Sequence, residues 1–267
     1  MVDTNNANSR RLEGRRALVT GANSGIGRGI ALRLAQEGAA VAINYVAHPE
    51  DADAVVKEIG EAGAKAIAVQ ADITNEQQVD AMFAQAVAAF GGLDILVNNA
   101  GMETQHPFLD MPLDAWRKVI EVDLTGAFLC AQRAARIMVQ SGTGGAIVNI
   151  SSVHQIIPWG GFSHYCAAKA GLDMLTKTAA LELANQKVRV NAVAPGAIKT
   201  PINQNVWSNP DTLNDLIRKI PTERMGETDE IAKVVAFLCS DEASYVTGAV
   251  LFVDGGMTLY PEFRHGG

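Results

Sequence analysis

The chain has 267 residues, 48% of them hydrophobic and 19% charged, and a formal net charge of −7. That composition can bury a sizeable core, and an acidic chain with no dense lysine or arginine run is expected to bind neither nucleic acid nor an anionic membrane surface. Cys130, Cys166 and Cys239 are far apart and the histidines have no metal spacing, which argues against a disulfide framework and a metal site and for a reducing, cytoplasmic setting.

No apolar run approaches the ~18 residues of a membrane helix. The first sixteen residues lack the apolar core of a signal peptide, and residues 1–11 read as a disordered tail. "RRALVTG" (15–21) reads as a buried strand that stops at a glycine. Residues 25–38 repeat apolar side chains at helical spacing. Strand "AAVAINY" (39–45), helix 51–63, strand 64–73, helix 76–92 and strand "LDILVNNAG" (93–101) follow. A long helix is predicted from about Asp114 to Ser141, then strand "GGAIVNISS" (144–152), helix 165–185, strand "VRVNAVAPG" (188–196) and strand "AVLFVDGG" (249–256). No element is assigned between Gly226 and Ala249.

Short, continuously apolar strands alternating with helices predict an α/β fold with a doubly wound parallel sheet, Rossmann-like. No linker divides the chain, so residues 12–267 are read as a single domain. Residues 198–226 are polar and proline-punctuated, and read as a substrate-loop insertion at the carboxyl edge of the sheet, where such folds bind ligands.

The first strand runs into "TGANSGIG", with Gly21, Gly25 and Gly27 before a helix. Small residues let backbone N–H groups approach a pyrophosphate, and the helix adds its positive N-terminus. Dinucleotide binding is expected around Gly21, Asn23, Ser24, Gly25, Ile26 and Gly27. An acid at the end of the second strand would bind a ribose hydroxyl and repel a 2′-phosphate. Asn44 and Tyr45 stand there instead, followed by the uncharged Val46, so NAD and NADP both stay open. Arg28 is the nearest candidate partner for a phosphate.

"TGANSGIG", "ADI" around Asp72, "NNAG" at Asn98 to Gly101, Ser152, "YCAAK" at Tyr165 to Lys169, and Pro195-Gly196 occur in order. Together they resemble the short-chain dehydrogenase/reductase family over about Leu12 to Tyr260. "SSVHQIIPW", "PGAIKTPIN", "EASYVTG" and "DGGMTLYPEF" are most similar to the bacterial glucose 1-dehydrogenases of that family. The resemblance implies that Asp72 and Ile73 lie at the adenine and that Asn98, Asn99, Ala100 and Gly101 lie along the cofactor. It further implies that Pro195, Gly196, Ile198 and Thr200 line the nicotinamide end, and that the protein is a homotetramer.

The chemistry of that resemblance is oxidation of an alcohol, which removes a proton from oxygen while a hydride leaves carbon. A free phenol titrates near ~10, too high for a base at neutral pH. A cation ~4 Å away at an effective dielectric of ~20 is worth roughly 4 kcal/mol, or about three pKa units. Lys169 is at i+4 from Tyr165, on the same helical face. Tyr165 is therefore the expected base, Lys169 its cation and a ligand of the nicotinamide ribose. Ser152, with Ser151 as its rival, is expected to hold the substrate oxygen. The family usually has asparagine at Asp123, where it holds a helix kink and an ordered water on the proton path. Asp123 is counted with the catalytic set as a departure.

For a sugar, Glu103, His154 and Asn203 are the candidate contacts by resemblance, and Trp159 and Phe162 are either a wall for the ring or loop packing. The expected reaction is oxidation of an aldose, β-D-glucose first, to its lactone with NAD or NADP. The alternatives are a reductase of a 3-oxoacyl thioester or other carbonyl, a polyol dehydrogenase, and a silent dinucleotide-sensing scaffold. Lys199 and Arg218 are too sparse for an acidic carrier protein, and a scaffold has no need of Ser152, Tyr165 and Lys169 together.

Overall fold

Seven short strands build one sheet because each is apolar on both faces. They are β1 (Arg16–Val19), β2 (Ala40–Tyr45), β3 (Ala66–Gln70), β4 (Ile95–Asn98), β5 (Gly145–Ile150), β6 (Val188–Pro195) and β7 (Val250–Val253). In this computed structural model, which describes residues 10–259, all are parallel in the order β3-β2-β1-β4-β5-β6-β7. Side chains alternate between faces along a strand. Ala17 and Val19 accordingly join one buried cluster and Leu18, between them, joins the other.

Helices cover both clusters. The first is packed by α1 (Gly25–Gln36), α2 (Pro49–Glu61) and α9 (Thr228–Cys239). The second is packed by α3 (Glu76–Phe90), α5 (Ala127–Ser141) and α6 (Ser163–Leu183), with α4 (Leu113–Ile120) leading into α5. The sequence-predicted doubly wound, Rossmann-like sheet is the observed one.

Three expectations need correction. Helix α9 is not among the predicted elements, yet Ile231, Ala232, Val235, Ala236 and Cys239 form its buried stripe and Glu227 and Glu230 make a capping box at its start. It packs closely on α1, where Thr228 Cβ lies 3.0 Å from the place a Cβ on Gly29 would take. The long helix expected over 114–141 is interrupted by one wide π turn, Glu121–Gly126, which turns Asp123 into the protein. Arg10 and Arg11, expected in a tail over 1–11, instead pair with side chains, Arg10 with Glu13 and Arg11 with Glu37 and Glu242; the rest of that expectation falls on residues 1–9, which lie outside the described residues, as do 260–267. Segment 198–226 carries two short helices, α7 (Gln204–Trp207) and α8 (Pro210–Arg218).

The strand order reverses between β1 and β4, and the crevice outside the carboxyl ends of the strands at such a reversal is where open α/β sheets bind ligands. The glycine loop after β1 meets the segment after β4 there. The ends of β5 and β6 bring Ser152 and Pro195-Gly196 to the same edge.

Candidate active site

The cofactor end is shaped by backbone. Gly21 and Gly25 adopt the left-handed region, at φ 59° and 55°. A Cβ on Gly27 would overlap the Gly21 carbonyl oxygen and Asn99 Nδ2, so the helix can begin this close to β1 only with glycine there. Ser24 precedes α1 but makes no side-chain cap, and the first turn holds no acid. The first N–H groups and the helix dipole are thus left for an anion, and this cradle fits a dinucleotide pyrophosphate.

The side chains around the cradle hold its shape. Thr20 is fully buried, and its Oγ1 accepts from Asn99 N at 2.9 Å and Ala100 N at 3.0 Å. Asn99 Nδ2 donates to Thr20 O at 2.9 Å and Gly21 O at 3.0 Å. Asn44 differs from expectation. It is buried, accepts from Gly21 N at 3.2 Å and donates to Ala71 O at 3.0 Å and Val69 O at 3.3 Å, so it braces the loop from below and is not offered to a ribose. Tyr45 and the exposed Val46 lie beyond it at the strand end. Asn98 likewise faces inward, donating to Ala127 O and Asn149 Oδ1. Arg28 is paired with Glu58 on α2. Asn23 donates to Ala47 O at 3.2 Å.

Asp72 starts a turn in which Oδ1 accepts from Thr74 N and Oγ1 at 2.9 and 2.8 Å, and the Ile73 side chain is buried against Gly126. On the other side, Gly196 N donates to Val253 O at 3.0 Å and Ile198 bridges to Gly226. Buried Thr200 lies beside the glycine loop, its Cγ2 3.7 Å from the place a Cβ on Gly25 would take. Asn203 also departs from expectation. Its Oδ1 accepts from Thr200 N at 3.0 Å and Oγ1 at 3.1 Å, and its Nδ2 donates to Ile198 O at 2.8 Å, so its amide folds the loop and does not face a substrate.

The side chains expected to handle the proton converge at the start of α6. Lys169 is buried; its Nζ donates to Ile150 O at 3.2 Å, lies 3.1 Å from Asp123 Oδ2 and sits 5.4 Å from the Tyr165 ring centroid. Burial pulls the ammonium down, but the charges of Asp123 and Tyr165 outweigh it and the lysine is held above its usual range. Asp123 Oδ1 accepts from Met102 N at 2.8 Å. Its Oδ2 is close enough to Lys169 for an ion pair but is not aligned for a hydrogen bond, and has none among the described residues.

Tyr165 keeps some solvent exposure, yet desolvation is the largest influence on its phenol and leaves it above the usual range. The Lys169 charge and a hydrogen bond with Ser152 oppose that rise, and the charges of Asp123 and Glu103 add to it. Ser152 Oγ also accepts from His154 N at 3.1 Å. Its rival Ser151 donates to Gln155 Oε1 at 2.6 Å and is near Lys169 O at 3.3 Å, which turns it from the phenol. His164, which no motif in the sequence singles out, is fully buried; its Nδ1 accepts from Tyr165 N at 2.8 Å, leaving Nε2–H to donate to Thr104 Oγ1 at 3.1 Å.

At the substrate end, Glu103 is half-buried and makes no hydrogen bond among the described residues. Burial, and after it the charge of Asp123, push its carboxyl up. His154 Nδ1 lies 3.0 Å from Ile157 O; a carbonyl only accepts, so Nδ1 carries the proton and Nε2 is left as an open acceptor. The Trp159 indole stacks on His154 at 4.4 Å and on Phe162 at 3.7 Å, with the Tyr165 ring edge-on at 6.2 Å. With two neighbours stacked on it, the Trp159 indole meets the Tyr165 ring at its edge.

Comparison with known proteins shows the family. A family model described as enoyl-(acyl carrier protein) reductase matches residues 21–258. A 3β-hydroxysteroid dehydrogenase 1 of Eggerthella lenta is 48% identical over 96% of this chain and 98% of its own length. A glucose 1-dehydrogenase 2 of Bacillus subtilis is 43% identical over 94% and 97%. The structure of a gluconate 5-dehydrogenase from Burkholderia cenocepacia, in complex with NADP and tartrate, superposes with a TM-score of 0.89 at 35% identity over 94% of this chain and 98% of that one. The chain is an NAD(P)-dependent oxidoreductase and belongs to the short-chain dehydrogenase/reductase family.

Proposed function

We propose that Tyr165 exchanges a proton with the hydroxyl of a polyhydroxylated alcohol, β-D-glucose being the favoured substrate and its lactone the product. Two polar groups without hydrogen-bond partners among the described residues carry this reading: the Glu103 carboxyl, whose charge acts on the Tyr165 phenol, and Nε2 of His154, whose ring stands edge-on to the Tyr165 ring at 6.4 Å. Both are half-buried, so a bound substrate that took their remaining water would have to replace its hydrogen bonds, and a sugar's neighbouring hydroxyls would satisfy both. Ser152 holds the reacting oxygen, and Tyr165 takes its proton as the carbonyl forms. Lys169 uses its ammonium toward Ile150 O and Asp123 and keeps a donor for the cofactor ribose. When bound, the nicotinamide supplies the acceptor for the hydride leaving the alcohol carbon.

A second reading rests on the Trp159 stack. Its apolar edge beside Tyr165 suits a hydroxysteroid, and a relative with that printed activity is among those most similar. We further propose, from the family resemblance, a cytoplasmic homotetramer in which segment 198–226 covers the substrate.

Reduced-cofactor absorbance with β-D-glucose, other aldoses, polyols, a 3β-hydroxysteroid and a short 3-oxoacyl thioester tests both readings. Glucose is expected to lead, with Glu103→Ala and His154→Ala raising its KM about tenfold or more, the loss of one hydrogen bond to a charged or polar partner. A steroid preferred by its kcat/KM, with both variants unimpaired, overturns the sugar reading. Light scattering checks the tetramer.

A further inference from the structure

The carboxylate at Asp123 touches the one cation that, among the described residues, is in contact with the proposed base. It sits on the wide turn Glu121–Gly126, its side chain without solvent exposure, between the segment after β4 and helix α6. Met102 N–H anchors Oδ1, and this aims Oδ2 at Lys169 Nζ, 3.1 Å away. Gly101 makes the approach possible, since a Cβ there would meet Asp123 Oδ2 at 2.9 Å and Lys169 Nζ at 3.4 Å. The titratable groups facing the carboxylate are Lys169, Tyr165 and His164 from α6 and Glu103 from the segment after β4. Lys169 is the only cation among them at neutral pH.

We infer that Asp123 is a positioning residue that, through its buried ion pair with Lys169, withholds much of the lysine's charge from Tyr165 and keeps the phenol protonated at neutral pH. The inference rests on the reading of Tyr165 as the proton-transfer group and extends it to direction. A protonated Tyr165 is the form that gives its proton to a carbonyl oxygen during reduction. A phenolate is the form that takes the hydroxyl proton during oxidation. The site is thus poised as a reductase at neutral pH and as a dehydrogenase at alkaline pH, with the equilibrium of the reaction itself unchanged. The influences on Tyr165 agree in sign, since the Asp123 charge raises the phenol and the Lys169 charge lowers it.

The test is a pair of pH–rate profiles, oxidation and reduction, for the wild type and for Asp123→Asn, which keeps an oxygen for Met102 N–H and removes the charge. The rising limb of oxidation should move to lower pH, and oxidation at neutral pH should gain about tenfold or more, since a unit charge within ~12 Å at an effective dielectric of ~20 is worth at least that factor. The falling limb of reduction should move down with it. Asp123→Ser, smaller and also uncharged, serves the same purpose if the asparagine variant does not fold. The phenolate absorbance of each variant, read against its Tyr165→Phe counterpart, should titrate at lower pH than in the wild type. A merely structural role predicts lower melting temperature with the limbs in place, and that result overturns the inference. Tyr165→Phe separates the two levels. If it keeps its activity, the proton-transfer reading fails; if it is inactive while neither Asp123 variant moves the limbs, only the role of Asp123 fails.

Discussion

The two halves of the crevice use polar side chains in opposite ways. Around the glycine loop, Thr20, Asn44 and Asn99 turn to backbone atoms of the same half and hold the cradle in shape. Around Tyr165, Glu103, His154 Nε2 and Asp123 Oδ2 are left without hydrogen-bond partners among the described residues. A cofactor common to many reactions can be bound by backbone N–H groups and a helix dipole, which need only a rigid loop. A substrate and a mobile proton need groups with capacity in reserve. The residues to test for chemistry are therefore the unengaged ones, and the engaged ones should show themselves as stability or shape.

The largest effect should come from the group these reserves surround, the proposed proton carrier itself. Tyr165→Phe removes only the phenolic hydroxyl and should cost about a thousandfold or more in kcat, the upper range of a lost general acid–base group. Cofactor affinity, measured by quenching of intrinsic fluorescence, should stay near the wild-type value. A large loss of cofactor affinity would place Tyr165 with the shape-holding residues and break the comparison.

Gly27→Ala probes the other half. A methyl group there overlaps the Gly21 carbonyl oxygen and Asn99 Nδ2, so the helix must retreat from the loop. Loss of about two charge-assisted phosphate contacts predicts a rise in cofactor Kd of about a hundredfold. Turnover at saturating cofactor should suffer far less. A variant with unchanged Kd would mean that the cradle is not made by this approach of backbones.

Much of this layout is legible in the sequence, and the exceptions share a physical cause. Parallel strands are buried on both faces, so they read as unbroken apolar runs and the alternation with helices follows. Tyr165 and Lys169 are legible because i and i+4 share a helical face. Helix α9 is legible too: its stripe Ile231, Ala232, Val235, Ala236 and its Glu227–Glu230 capping box are local signals, obscured only by the long polar segment they follow. The use of Asn44 and Asn203 is not legible. An amide has donors and an acceptor, and which backbone atoms it meets depends on strands and loops distant in sequence. The same holds for Asp123, whose inward direction comes from a wide turn with no periodic signature and whose partner lies on another helix.

Cofactor choice sharpens the contrast at a smaller scale. Asn44 is buried beneath the loop and Val46 is exposed at the strand end. Asn44→Asp would turn a carboxylate toward the carbonyl oxygens of Val69 and Ala71, and should lower stability by about 2–4 kcal/mol, as expected for a buried charge facing acceptors. Its NAD-to-NADP ratio of kcat/KM should change little. Val46→Arg should shift that ratio about tenfold toward NADP with no loss of stability, one charge-assisted contact to a 2′-phosphate. A ratio that answers to Asn44→Asp and not to Val46→Arg would mean that the buried amide reads the ribose after all.

The smallest effect on turnover is expected where the side chain is charged, fully engaged and remote from the crevice. Glu37 closes α1, buried, with Arg11 Nη2 and Arg33 Nε each 2.6 Å from its carboxylate. Burial alone would raise this carboxyl, but the hydrogen bonds and charges of the two arginines outweigh it and hold it below the ordinary value of 4.5. A carboxyl depressed in the folded state contributes stability above its unfolded value and loses that contribution as pH falls through its folded value. Glu37→Gln should thus cost about 1–3 kcal/mol at neutral pH, a buried pair discounted for partners that are partly exposed. The difference from wild type in urea melts should shrink as pH drops below about 4.5 and the wild-type carboxyl takes up its proton. Turnover per folded molecule should not change, because nothing at the crevice touches this cluster. A stability difference that persists undiminished in acid would mean that Glu37 acts through packing at the end of α1 and not through its charge.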